Sequence, residues 1–165
     1  MTSVTTNNAN SIKFDGRCTC GYVRYHFTAQ PMIVHCCHCT WCQRETGTAF
    51  ALNAVIEASA VKIDSGECEL IDTPSQSGNG QKIARCPRCR IALWSHYFQA
   101  GPNVCFVRVG TLEQSAKFPP DIHIHTSTKQ PWVVIPDGMR STPEFYKPRE
   151  VWSPETLERF QRARS

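Results

Sequence analysis

Charge is scarce in this sequence. Only 19% of its 165 residues are Asp, Glu, Lys or Arg, and 18 basic against 14 acidic side chains leave a net charge of +4. That density is too low for a disordered chain or a nucleic-acid-binding arm, and 41% hydrophobic residues suit one folded domain with a sizeable core. Long apolar runs are missing as well: none approaches the ~20 residues that cross a bilayer. Residues 1–11 are rich in Thr, Asn and Ser without an apolar stretch, so they read as a disordered, solvated tail and not as a secretory signal. A membrane or secreted protein is not expected, and the expected location is cytoplasmic. No repeat, no interdomain linker and no long amphipathic helix is visible.

What the sequence has in excess is cysteine, ten in all. Without a secretory context an oxidised framework is not expected, and clustered reduced thiols bind metal. Eight of the ten fall in three clusters: Cys18-Thr19-Cys20, Cys36-Cys37-His38-Cys39-Thr40-Trp41-Cys42 and Cys86-Pro87-Arg88-Cys89. Cys68 and Cys105 stand alone in strand-like runs and read as buried, inert thiols.

From Ile12 onward the pattern is one of short alternating runs. Val23, Tyr25 and Phe27 fall on one side of a period-2 stretch, with Arg24 and His26 on the other. Similar runs cover 49–56, 68–71, 91–94, 104–109, 122–126 and 132–135, separated by turn signals such as Asp15-Gly16 and Gly78-Asn79-Gly80. One helix is expected near the end, capped by Ser153, with Pro154 in its first turn and Leu157 and Phe160 as its apolar edge. Seven of the eleven prolines lie from Pro119 to Pro154, which predicts an extended strap over the sheets. The expected fold is mostly β.

Spacing divides the thiols into two sites. Cys86-x-x-Cys89 is a good half-site for a tetrahedral ion, and Cys18-x-Cys20 supplies the other half if the backbone bends at Gly21 and at an Asp15-Gly16 turn. These four would form a structural zinc site. Cys37, Cys39 and Cys42 remain. Two readings of them stand level: a second structural zinc, closed by Cys36, His35 or a distant His, or a reactive zinc with an open fourth position. Zinc with three thiolates carries a net charge of −1, which favours activating a substrate thiolate over ionising water. Thiolate tetrahedra also suit iron. His38 is expected to point away from the metal and Trp41 to be a packing residue. His123 and His125 are expected to share one strand face, as a half-exposed pair, as metal ligands or as a general acid/base near the triad. Arg149, Arg159, Arg162 and Arg164 read as a solvated helix face, since no aromatic-interleaved groove accompanies them.

Several of these segments, taken in order, resemble a known family. They are Gly16-x-Cys18-x-Cys20-Gly21-x-Val23, Cys37-His38-Cys39-x-x-Cys42 leading to Thr46-Gly47-x-Ala49-Phe50, Cys86-x-x-Cys89 before Leu93-Trp94, Gly110-Thr111-Leu112, and His123-Ile124 followed by Pro131-Trp132 and Asp137-Gly138. The set looks like the glutathione-dependent formaldehyde-activating enzyme family, which includes the centromere-protein-V group. The resemblance implies a single-domain β-tent of several coiled antiparallel sheets over residues 12–146, with 147–165 as a C-terminal extension. It implies two zinc ions per chain, a structural one on Cys18, Cys20, Cys86 and Cys89 and a catalytic one on Cys37, Cys39 and Cys42. It also implies a carbon–sulfur lyase-type activity that joins glutathione and formaldehyde as S-(hydroxymethyl)glutathione. The residue after Cys42, commonly Arg in that family, is Gln43 here, with Arg44 next. The residue after the Cys86–Cys89 knuckle, commonly Gly, is Arg90.

The expected partner is therefore a small-molecule thiol, glutathione or a thiol–aldehyde adduct, with Arg44, Lys62 and Lys129 as candidate cations for it. Nucleic acid is not the expected partner. Two other readings remain: a non-catalytic zinc module that binds a protein or nucleic acid, and a hydrolase that uses zinc-bound water with His123 or His125 as base.

Overall fold

Alternation along residues 23–27 sets the first layer. Val23, Tyr25 and Phe27 are fully buried while Arg24 points to solvent, so strand β2 (Arg24–Phe27) lays one apolar face on the core. The computed structural model describes residues 12–165, and the tail expected at 1–11 lies outside the described residues. β1 (Phe14–Arg17), β2 and β5 (Val61–Ser65) form a three-stranded antiparallel sheet. A seven-stranded sheet follows the order β10-β3-β4-β9-β8-β7-β6. Its strands are β3 (Ile33–Cys37), β4 (Ala51–Glu57), β6 (Glu69–Thr73), β7 (Gln81–Arg85), β8 (Ala92–Tyr97), β9 (Val104–Arg108) and β10 (Ile122–Ile124). The described chain is one mostly β domain with a short C-terminal helix.

Not every pairing is antiparallel. β10 runs parallel to β3, because the chain leaves β9, rounds a long connection through Pro119-Pro120 and re-enters along the same direction. Asp121 fixes that register: its carboxylate accepts from Val34 N at 2.7 Å, and its own N–H donates to Val34 O at 2.9 Å.

Asp15-Gly16 is strand and not turn. Gly16 lies inside β1, where a Cβ would come within 2.4 Å of the Tyr25 ring, so the missing side chain lets Tyr25 fill the space between the sheets. Tyr25 is hydrogen-bonded to Thr111 at 2.6 Å and meets Trp94 edge-on at 5.5 Å between centroids. The first core cluster gathers there, with Phe27, Ala84, Leu93 and Val107.

A second cluster lies under the C-terminal strap, with Ile33, Val55, Ile122, Tyr146 and Trp152. The run 132–135 is not a strand: prolines 131 and 136 bracket it, and Trp132 is 71% exposed. After the short α2 (Pro148–Val151), α3 (Pro154–Arg164) begins as expected, with the Ser153 hydroxyl accepting from Thr156 N. Leu157 and Phe160 pack into the second cluster. Arg159 is not on a solvated face: it makes a two-point contact with the Glu57 carboxylate at 2.7 and 2.8 Å and donates to Gln30 O.

Candidate active site

Two knuckles of the same form bring four thiols together. In one, Cys18 N donates to Val23 O at 3.1 Å and Gly21, at φ +75°, turns the chain back. In the other, Cys86 N donates to Ile91 O at 3.0 Å and Arg90 N to Cys86 O at 2.9 Å. The Arg88 guanidinium lies 3.7 Å over the Tyr22 ring and joins the knuckles. The sulfurs of Cys18, Cys20, Cys86 and Cys89 lie within 4.8 Å of one another, with Cys18–Cys20 at 3.5 Å and Cys20–Cys86 at 3.7 Å. A tetrahedron with metal–sulfur bonds of about 2.3 Å has edges of about 3.8 Å, so this donor set fits a zinc-sized ion. None of the four lines the main cavity.

Cys37, Cys39 and Cys42 form a second set within the same 4.8 Å limit, all buried. Cys37 ends β3. Cys39 caps α1 (Thr40–Thr46), a helix that the cysteine spacing concealed, and its sulfur accepts from Cys42 N at 3.3 Å. Among the three, Cys39 carries the favoured thiolate: hydrogen bonds from Cys37 and then Cys42 hold it well below the usual thiol range, while the same contact with Cys39 holds the Cys37 proton on. Three soft sulfur donors, buried together, suit a thiophilic ion.

This triad faces a cavity of about 600 Å³. His35, Asn53 and Arg108 form a polar row across its floor, one from each of the neighbouring strands β3, β4 and β9. Arg108 is 8% exposed and donates to Asn53 Oδ1 and, at 3.3 Å, to Ser95 Oγ. It has no carboxylate partner among the described residues, and its Nε is left without a hydrogen bond. The triad's thiolate charge is therefore its natural complement. Trp152 Nε1 donates to Tyr146 Oη at 2.6 Å, which leaves the Tyr146 proton for His35 Nε2 at 2.5 Å. Burial pushes His35 down to about 3, so the ring stays neutral.

His123 and His125 do not share a face. His125 adopts a left-handed conformation, φ +55°, which turns its ring into the cavity with Glu144 Oε2 at 3.3 Å. His123 lies on the other side of the sheet in a buried group with His38 and Cys36, with His38 Nε2 to His123 Nδ1 at 2.8 Å and Cys36 Sγ to His38 Nε2 at 3.5 Å. Burial lowers both rings, His38 to about 4, and the short contact is a hydrogen bond between neutral imidazoles. Trp41, expected to pack, is 40% exposed at the cavity rim. Cys105 is buried and Cys68 half-buried, each pushed up to about 12 by burial.

The expected cations are elsewhere. Arg44 and Lys62 are exposed away from the cavity, and the Lys129 ammonium is tied to Gln130 O and Val133 O. The cavity's cations are Arg108 and Arg164. Gln43 donates to His38 O at 2.7 Å and Thr128 O at 2.9 Å, so it clamps the segment carrying His125 onto α1. Arg90, in place of glycine, takes a left-handed φ of +62°.

Fold and site define a cysteine-rich, mostly β protein with two thiol sets suited to metal. Residues 13–128 match the family model described as glutathione-dependent formaldehyde-activating enzyme, and the chain belongs to that family. At family level this brings glutathione and formaldehyde as the associated small molecules. A crystal structure of a Rhodobacter sphaeroides protein aligns at 21% identity and a TM-score of 0.43, over 60% of this chain and 87% of that one. No curated protein matches. Among the described residues no helix is long and apolar enough to cross a membrane.

Proposed function

We propose that this protein is a cytoplasmic, two-zinc carbon–sulfur lyase-type enzyme of β-tent fold that makes and breaks thiol–aldehyde adducts such as S-(hydroxymethyl)glutathione. The observation that carries this reading is the difference between the thiol sets: three buried sulfurs open onto a cavity of about 600 Å³, and the other four do not. Cys18, Cys20, Cys86 and Cys89 hold a structural ion, and Cys37, Cys39 and Cys42 a catalytic one. When bound there, zinc supplies a soft Lewis acid that keeps an incoming thiol ionised without making it inert.

The chain's own residues do the rest. Arg108 offsets the negative charge beside the triad, where low dielectric magnifies its effect. The neutral His35, locked by Tyr146 and Trp152, closes the floor to water. Addition forms the sulfur–carbon bond, moves the carbonyl pair onto oxygen and leaves an alkoxide that needs a proton. His125, held by Glu144 at the cavity wall, is placed to deliver it. Arg164, which has no carboxylate partner among the described residues, offers a rim contact for a substrate carboxylate.

The test is metal content per chain, then the fraction a chromophoric chelator removes with and without glutathione. Two zincs, one labile and glutathione-responsive, are expected, together with adduct formation from glutathione and formaldehyde faster than the uncatalysed reaction. Two inert zincs, indifferent to thiol, would overturn the reading in favour of a non-catalytic binding module.

A further inference from the structure

The family match ends at residue 128, yet part of the cavity wall comes from beyond it. Phe145, Trp152 and Phe160 line the same space as the triad, and Trp41, Tyr97 and Phe106 continue the aromatic surface. Most of the charged groups on the lining are already engaged. Glu45 pairs with Arg85, Glu144 with Ser127 and His125, and Arg108 with Asn53 and Ser95. Formaldehyde, with two heavy atoms, makes no use of such a wall. Water against it is poorly accommodated, and an apolar group that displaces that water binds favourably.

We infer that residues 144–164 build an apolar subsite beside the triad that holds the carbon substituent of an aldehyde. The favoured adduct is then that of an aromatic or branched-alkyl aldehyde. The inference rests on the triad being a thiol–aldehyde centre. The chemistry is unchanged: the thiol loses its proton, sulfur bonds to the carbonyl carbon, and the carbonyl oxygen gains the proton, with nothing oxidised or reduced. Only the group attached to that carbon differs, and it rests on Phe145 and Phe160.

The test uses the metal-loaded full chain and two unreactive thioethers that mimic adducts, S-benzylglutathione and S-methylglutathione, compared by titration calorimetry. A buried phenyl ring is expected to tighten binding about tenfold or more. Phe145→Ala, at a 52% exposed position, and Phe160→Ala should each remove most of that difference and leave S-methylglutathione within about twofold. Circular dichroism confirms folding of both variants. Equal affinity for the two thioethers, or a preference untouched by both variants, overturns the inference. So does failure of both to bind while the protein still speeds the reaction of glutathione with formaldehyde above its uncatalysed rate, in which case the proposed function stands. Tighter S-benzylglutathione binding with no turnover of benzaldehyde or formaldehyde keeps the subsite and removes the lyase reading.

Discussion

At the scale of single residues, the two thiol sets separate by what surrounds each sulfur. Cys86 is buried at the junction of the two knuckles, whereas Cys39 borders a cavity that already interrupts the packing. Cys86→Ala should therefore unfold or aggregate the protein, while Cys39→Ala should leave it folded, inactive and one metal short. Circular dichroism and metal analysis decide between them, and equal loss of folding in both would end the division of labour. Arg90 gives a sharper test of backbone cost. A β-branched residue at its left-handed φ is strained, so Arg90→Val should lower stability by about 1–2 kcal/mol in denaturant melts. Arg90→Gly relieves strain but frees the unfolded chain and loses the pairing with Glu69, so it should stay within about 0.5 kcal/mol of the parent. The cysteine sets were legible because metal spacing is local. Arg108 was not, since Val-Cys-Phe-Val-Arg-Val reads as a strand with an ordinary polar position until two neighbouring strands bury it.

At the scale of elements, α3 was legible because its cap, proline and apolar edge are all local signals. Helix α1 and strand β3 were hidden, because cysteines that serve as ligands also occupy their hydrophobic and capping positions. The left-handed turn at His125, which reverses the alternation begun at His123, left no mark in the sequence either. The docking of α3 carries a pH signature. Burial works to raise the Glu57 carboxyl, but hydrogen bonds from Arg159 outweigh it and hold the group below its ordinary 4.5. A depressed carboxyl contributes stability above its unfolded value and loses it as pH falls through the folded one. Glu57→Gln should thus cost about 1 kcal/mol at pH 7, and the gap from the parent should close below about pH 4.5. Chemical denaturation at several pH values measures this, and a gap that stays constant as pH falls would mean the pair does not anchor the helix.

For the molecule as a whole, the four-thiol set joins the loop after β1, in the small sheet, to the turn between β7 and β8 in the large one. Chelation should loosen the sheets from each other and lower the calorimetric midpoint by about 10 °C or more. Removing only the triad's ion, as in Cys39→Ala, should shift it little. A mostly β domain was legible from its alternating runs and turn signals. The division into three and seven strands and the parallel edge were not, because they depend on which distant runs find each other.

That parallel edge has a consequence for the newborn chain. β3 takes its outer neighbour from a segment 87 residues further along. On a ribosome, Cys37, Cys39 and Cys42 emerge early, gain β4 as a neighbour, and wait for β10 and then α3 before their enclosure is complete. A thiol centre that is buried in the finished protein is thus left long undefended while it is made, and oxidant present during translation should strike there first.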